Sequence, residues 1–231
     1  MKAIFITGTD TGVGKSVVAG LLARYARERG WGVITQKWIQ TGSRNFSQDI
    51  RLHLKIMQRS KADINDYLDS VCPYTFKAPL SPHKASQLEN KRINPERIKE
   101  SFRLLSRAFD LVIVEGIGGA LVPYNTRNLV IDIARDLNLA VLLVAQNKLG
   151  AINHTFLTIE ALGARKLEIL GIVFNNAPKQ DRIILQDNPR IIQQLTRQKI
   201  FGVLPWRRDY STLYKNFMPI GRKILRQLKN G

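Results

Sequence analysis

The chain has one cysteine, three histidines and half as many acidic as basic residues. Each scarcity removes a class of function. Cys72 alone cannot close an internal disulfide, which excludes a stapled secreted scaffold and suits a reducing compartment such as the cytoplasm. Three scattered histidines and a lone cysteine give no His/Cys cluster with the spacing of a zinc site. No apolar run approaches the roughly 18 residues of a membrane span. The opening Met1–Gly8 segment is also too short to be the apolar core of a signal peptide. A cytoplasmic protein without a membrane segment is the expectation.

Few acids leave 36 Lys and Arg against 18 Asp and Glu, a net charge of +18. The segment from Lys179 to Gly231 carries 12 basic and 3 acidic residues, so half of the excess sits in the last quarter. Such a field attracts polyanions. Yet there is no block of five consecutive basic residues, and the aromatics are not interleaved with the basic positions. We read a solvated basic surface and do not expect nucleic acid as a dedicated partner.

The 231 residues are 44% apolar and 23% charged, ordinary for one folded domain with a substantial core, and neither a repeat nor a linker divides 1–231. Uninterrupted apolar runs at 3–6, 33–35, 111–114, 140–144 and 170–174 lack the alternation of half-exposed strands. They fit strands buried on both faces of a parallel sheet. Helical patterns follow the first run, through Val17, Leu21, Leu22 and Tyr25, and lie at 126–137, 153–163 and 181–197. A last strand is expected near 200–204 and a closing helix at 210–228, with 72–83, which holds three prolines, as an ordered loop. The alternation predicts an α/β fold: a doubly wound, mostly parallel sheet with helices on both faces.

Gly8-Thr9-Asp10-Thr11-Gly12-Val13-Gly14-Lys15-Ser16 follows the first strand and opens a helix, the context of a phosphate-binding loop. Glycines let backbone N–H groups turn toward a phosphate, and the helix N-terminus adds positive potential. Lys15 would reach the terminal phosphates of a nucleotide and the Ser16 hydroxyl would hold Mg²⁺, so ATP with Mg²⁺ is the expected ligand pair. Five residues separate Gly8 from Gly14, one more than in the usual loop. Glu115, after the apolar run 111–114 and before Gly116-Ile117-Gly118-Gly119, sits where a metal ligand or water-positioning acid belongs. Lys37 ends the second strand, as a solvated flank or as a cation that neutralises a reacting anion. Asn175 and Asn176 follow a late strand, where an amide could read adenine, although Asn-Asn-Ala-Pro is also a good turn. His53 is expected on a helix surface, His83 in a loop, His154 near a helix start, and Cys72 buried.

Together these residues resemble the dethiobiotin synthetases, ATP-dependent cyclo-ligases of the P-loop NTPase class. The likeness runs through Gly-Thr-Asp-Thr-x-Val-Gly-Lys at 8–15, Lys37, Thr41-Gly42, Asp49, Pro-Tyr-Thr-Phe at 73–76 and Ser-Pro-His at 81–83. It continues through Glu115-Gly116-x-Gly118-Gly119, Lys148-Leu149-Gly150-x-Ile152-Asn153-His154, Asn175 and Pro205-Trp206. The resemblance implies 7,8-diaminononanoate and CO₂ as substrates and a homodimer. It further implies Mg²⁺ held by Ser16, Asp49 and Glu115, with Lys15 and Lys37 as the catalytic cations. Nucleotide contacts are implied at Gly12, Val13, Gly14, Lys15, Ser16, Val17, Asp49, Glu115, Gly116, Ile117, Gly118, Asn175, Asn176, Pro205 and Trp206. Thr41 would meet the diamine, and Gly150, Ala151, Ile152 and Asn153 its carboxylate tail across the dimer.

Trp38 stands where the family usually has Pro, Thr41 where it has Ser, and 179–200 carries no aromatic. Two other ATPase classes fit less well. A partition-type ATPase that binds DNA would suit the charge but places a lysine just after the first glycine of the loop, where Thr9 and Asp10 stand. A cobyrinate-type amide synthetase usually carries an extra glutaminase domain, for which 231 residues leave no room.

Overall fold

A computed structural model describes residues 1–230. Strand β1 (Lys2–Gly8) leads into helix α1 (Lys15–Arg27) and strand β2 (Val33–Lys37). Short strand β3 (Ile39–Gln40), helix α2 (Gln48–Ile56), a 3₁₀ turn (Ala62–Tyr67) and helix α3 (Leu68–Val71) come next. Short strand β4 (Tyr74–Thr75) and helices α4 (Pro82–Leu88) and α5 (Pro95–Ala108) precede β5 (Leu111–Glu115). The rest alternates: α6 (Val130–Asp136), β6 (Ala140–Asn147), α7 (Ala151–Gly163), β7 (Ile169–Asn176), α8 (Arg182–Thr196), β8 (Ile200–Leu204) and α9 (Tyr210–Asn230).

Six strands form one sheet in the order β2-β5-β1-β6-β7-β8, every pair parallel. Both faces are covered, which explains the continuous apolar runs. Ile4 and Ile6 of β1, with Leu111 and Ile113 of β5, pack under α1 and α9. Their neighbours Phe5, Val112 and Val114 point the other way, into a core shared with α2, α5 and α6. Leu143 of β6 and Phe174 of β7 extend this second face beneath α7 and α8. The doubly wound parallel fold is the one expected. Among the described residues no helix is long and apolar enough to cross a membrane.

Several local expectations change. Residues 126–129 are not helical: Asn125 Oδ1 accepts from the N–H groups of Arg127 and Asn128, closing a turn before α6 begins at Val130. The loop 72–83 contains β4, which pairs with β3, and its Pro82 opens α4, so His83 is helical. Helix α8 runs through Pro189. Helices α2 and α5 carry apolar stripes that the strand–helix alternation did not single out. Each begins at a capped N-terminus, Ser47 accepting from Ile50 N–H and Asn94 from Glu96 N–H.

Candidate functional site

The phosphate loop joins β1 to α1. Gly14 is the N-cap of α1 with φ of 97°, and no side chain caps the helix, so its first N–H groups face outward. A Cβ at position 14 would lie 1.9 Å from Asn175 Nδ2. Glycine is therefore required both by the left-handed backbone and by the packed amide. Asn175 Nδ2 donates to Val13 O at 3.1 Å, so this asparagine braces the loop from β7.

Lys15 Nζ lies over the loop, donating to Asp10 O at 2.8 Å. Burial, and then the neighbouring Lys37 ammonium, lower its pKa to about 8. The charge of an anionic ligand at the loop would raise it again.

Parallel register brings Lys37 and Glu115 together. They are partners across β2 and β5, and Glu115 also faces Ile6 of β1. The Lys37 ammonium donates to Glu115 Oε1 at 3.0 Å and to Gly116 O at 2.6 Å, and it pairs with Asp49 Oδ2 at 2.7 Å. Lys37 is 2% exposed, so it is not a solvated flank. Burial opposes its charge, but Glu115 and Asp49 outweigh that and raise its pKa, keeping it an ammonium. Burial likewise opposes the Glu115 carboxylate. The Lys37 charge and a hydrogen bond from His53 override it and hold the pKa at about 2.

Ser16 Oγ donates to the same Glu115 Oε1 at 2.8 Å. Asp49 sits in the first turn of α2, which is pinned to β3: Ser47 Oγ donates to Gln40 Oε1 at 2.7 Å and Asp49 N to the same oxygen at 3.3 Å. Ser16, Glu115 and Asp49 offer oxygen donors beside the loop, with the Lys37 ammonium between the two carboxylates. Two carboxylates and a hydroxyl are too few to enclose a cation. Oxygen donors of this kind suit a hard cation such as Mg²⁺.

His53 corrects an expectation. It lies on α2 but is wholly buried, and its Nε2 donates to Glu115 Oε2 at 2.8 Å. An ionised carboxylate only accepts, which fixes the ring nitrogen as donor. The signal was present: Asp49 and His53 are four apart behind a Ser cap, on one helical face.

The other expected residues follow several different strands and helices. The 116–119 turn follows β5, with Gly116 N donating to Ile6 O. Thr41 follows β3, beside Gly42, whose N–H donates to Ala78 O in the 76–79 segment. Asn175 is the register partner of Leu204, so Pro205 and Trp206 emerge next to it. Val17 lies in the first turn of α1, packed partly buried against the core. Gly150 caps α7 at φ of 84° without a side-chain cap, leaving Ala151, Ile152 and Asn153 as an uncapped first turn. His154 is exposed on that helix, and Cys72 is half-buried.

Sequence reasoning missed Asn147 and Asn188. Asn188 Nδ2 donates to Asn147 Oδ1 and Lys148 O, both at 2.9 Å, and Asn147 Nδ2 donates to Asn176 Oδ1 at 2.9 Å. This amide network ties α8 to the loop that carries Gly150.

The sequence and the fold are similar to those of known proteins. A family model described as an AAA domain matches residues 2–212. The ATP-dependent dethiobiotin synthetase BioD of Anaeromyxobacter sp. (strain K) is 40% identical over 225 residues, covering 97% of this chain and 99% of that one. The corresponding protein of Chlorobaculum tepidum is 39% identical over 206 residues, covering 88% of this chain and 85% of that one. Among solved structures, a ParA family ATPase from Chlorobium tepidum aligns with a TM-score of 0.57 at 16% identity, over 99% of this chain and 95% of that one. The pNOB8 ParA bound to nonspecific DNA gives 0.58 at 15% identity, over 99% of each chain. At such low identities these likenesses establish the P-loop ATPase fold alone. The sequence relatives, matched over nearly their whole length, establish more: the chain belongs to the family of ATP-dependent dethiobiotin synthetases.

Proposed function

We propose that this chain is a cyclo-ligase of biotin biosynthesis, converting 7,8-diaminononanoate, CO₂ and ATP to dethiobiotin, ADP and phosphate. The observation that carries the reading is the buried Lys37 ammonium, held between Glu115 and Asp49 beside the phosphate loop. One amine adds to CO₂ and loses a proton, giving a carbamate. A carbamate oxygen attacks the γ-phosphorus and ADP leaves. The second amine then attacks the carbamoyl carbon, loses a proton and expels phosphate, closing the ring.

Carbamate and triphosphate repel one another, and Lys37 and Lys15 supply fixed charge where they must meet. The loop N–H groups and Lys15 bind and orient the triphosphate. Mg²⁺, when bound, would offset the charge that develops on the phosphate. Ser16, Asp49 and Glu115 are the residues that would hold it. Thr41 would contact the diamine, and Asn175, Asn176, Pro205 and Trp206 would line the base end of the nucleotide.

A cytoplasmic homodimer completes the reading. Leu121, Leu149 and Leu157 are exposed leucines around the start and outer face of α7, with Leu149 77% exposed. A dimer that covers them would bring the uncapped first turn of α7 to the partner's substrate tail, where its N–H groups can receive a carboxylate. The basic surface is incidental to this chemistry.

The test is phosphate release from MgATP that requires both bicarbonate and the diamine. Release without either co-substrate, or ATP-dependent retention of DNA at physiological salt, would overturn the proposal. Sedimentation at micromolar concentration tests the dimer, and a fully active monomer would strike it out.

A further inference from the structure

The two oxygens of Glu115 have different company. Oε1 accepts from both Ser16 Oγ and Lys37 Nζ, whereas Oε2 accepts from His53 Nε2. In the proposed reaction the Ser16 hydroxyl and the Lys37 ammonium are both wanted elsewhere, one at the metal and the other at the reacting anions. His53 has no such second task. Its Nδ1 is buried and has no partner among the described residues, so its one hydrogen bond goes to Glu115. An apolar side chain would be easier to bury there, and that single bond is what histidine adds.

The backbone supports the same role. Helix α2 approaches α1 so closely at Gly20 that a Cβ there would lie 3.2 Å from His53 Cα. This places the His53 backbone against α1, while its ring reaches Glu115 at the end of β5. The same helix face carries Asp49, one turn earlier, on Lys37. One helix therefore supplies a carboxylate to the site and a clamp on the other carboxylate.

We propose that His53 is the positioning residue that fixes the Glu115 carboxylate for Mg²⁺ by holding Oε2 while Oε1 changes partners. The inference rests on the reading of Glu115 as a metal ligand given above. Loss of such a supporting hydrogen bond typically weakens metal binding by about 10–100-fold.

The test is binding of a fluorescent methylanthraniloyl-ATP to the full chain, titrated with Mg²⁺ and repeated in EDTA. His53→Leu should raise the Mg²⁺ concentration for half-maximal response about 10-fold or more, with binding in EDTA unchanged. His53→Gln places an amide donor near the Nε2 position and should return the midpoint to within about 3-fold of wild type. If His53→Leu does not fold, His53→Asn, whose amide stops short of Glu115, takes its place in the comparison. A wild-type Mg²⁺ midpoint in the donor-less variant overturns the proposal. So does a Gln variant as impaired as that one, or an equal loss of binding in EDTA. Glu115→Ala distinguishes the two levels. If it abolishes the Mg²⁺ dependence while His53→Leu does nothing, only the role of His53 falls. If Glu115→Ala titrates like wild type, the metal reading falls and takes the clamp with it.

Discussion

Replacing Lys37 by Gln keeps most of the side chain's length and removes one charge from the centre of the site. Three acceptors lose their ammonium: Glu115 Oε1, Asp49 Oδ2 and Gly116 O. Removing one partner of a buried ion pair typically costs about 3–5 kcal/mol. Here the lower end applies, because Glu115 keeps Ser16 and His53 as donors and the Asp49 side chain is 26% exposed. A loss of about 3 kcal/mol is expected in urea unfolding at neutral pH.

The pH dependence has a definite sign. In the wild type the Glu115 pKa, about 2, lies below its ordinary 4.5. It therefore stabilises the fold above pH 4.5, and that contribution fades as pH falls toward 2. Removing the ammonium takes away the largest effect that opposes burial, so the variant's carboxyl pKa should rise and its stability should fall less steeply between pH 4.5 and pH 2. Chemistry should suffer more than nucleotide binding. Loss of a preorganised charge on a transition state costs about 3–4 kcal/mol, or 10²–10³ in rate. Lys15 and the loop N–H groups remain to hold the triphosphate.

The assays are diamine-dependent phosphate release and calorimetric MgATP affinity on the same preparation. Equal losses in affinity and turnover would refute a transition-state role and make Lys37 a nucleotide anchor. Unchanged stability and turnover would refute the electrostatic argument altogether.

Three further outcomes are expected. With Lys15 near pKa 8, MgATP binding at pH 8 should take up about half a proton, seen calorimetrically in buffers of different ionisation enthalpy. Zero uptake would contradict the charge placement. Gly14→Ala combines a φ of 97° with a clash on Asn175 Nδ2. It should cost about 2–3 kcal/mol in unfolding and abolish nucleotide binding. Wild-type binding would remove the loop assignment. Asn188→Ala leaves Asn147 Oδ1 and Lys148 O unpaired, a loss of about 1–3 kcal/mol. It should raise the KM for the diamine more than it lowers kcat, because the 148–150 loop positions the start of α7. A pure kcat effect would contradict that.

Local sequence determined the parts whose physics is local. Continuous apolar runs fit strands buried on both faces of a parallel sheet, and Gly14-Lys15-Ser16 between a strand and a helix has the pattern of a phosphate loop. The family motifs then marked Asp49, Glu115 and Asn175 as residues of one site. Tertiary structure decided who touches whom. Lys37 and Glu115 are 78 positions apart and meet because β2 and β5 pair in register. His53 looked like a surface histidine because its partner, on β5, is 62 positions away. Asn147 and Asn188, polar and unremarkable in sequence, meet only when α8 docks under the loop after β6. Charge told least: +18 was legible from composition, yet the charges that define the site are four buried or half-buried groups whose pairing depends on strand register and the approach of α2 to α1.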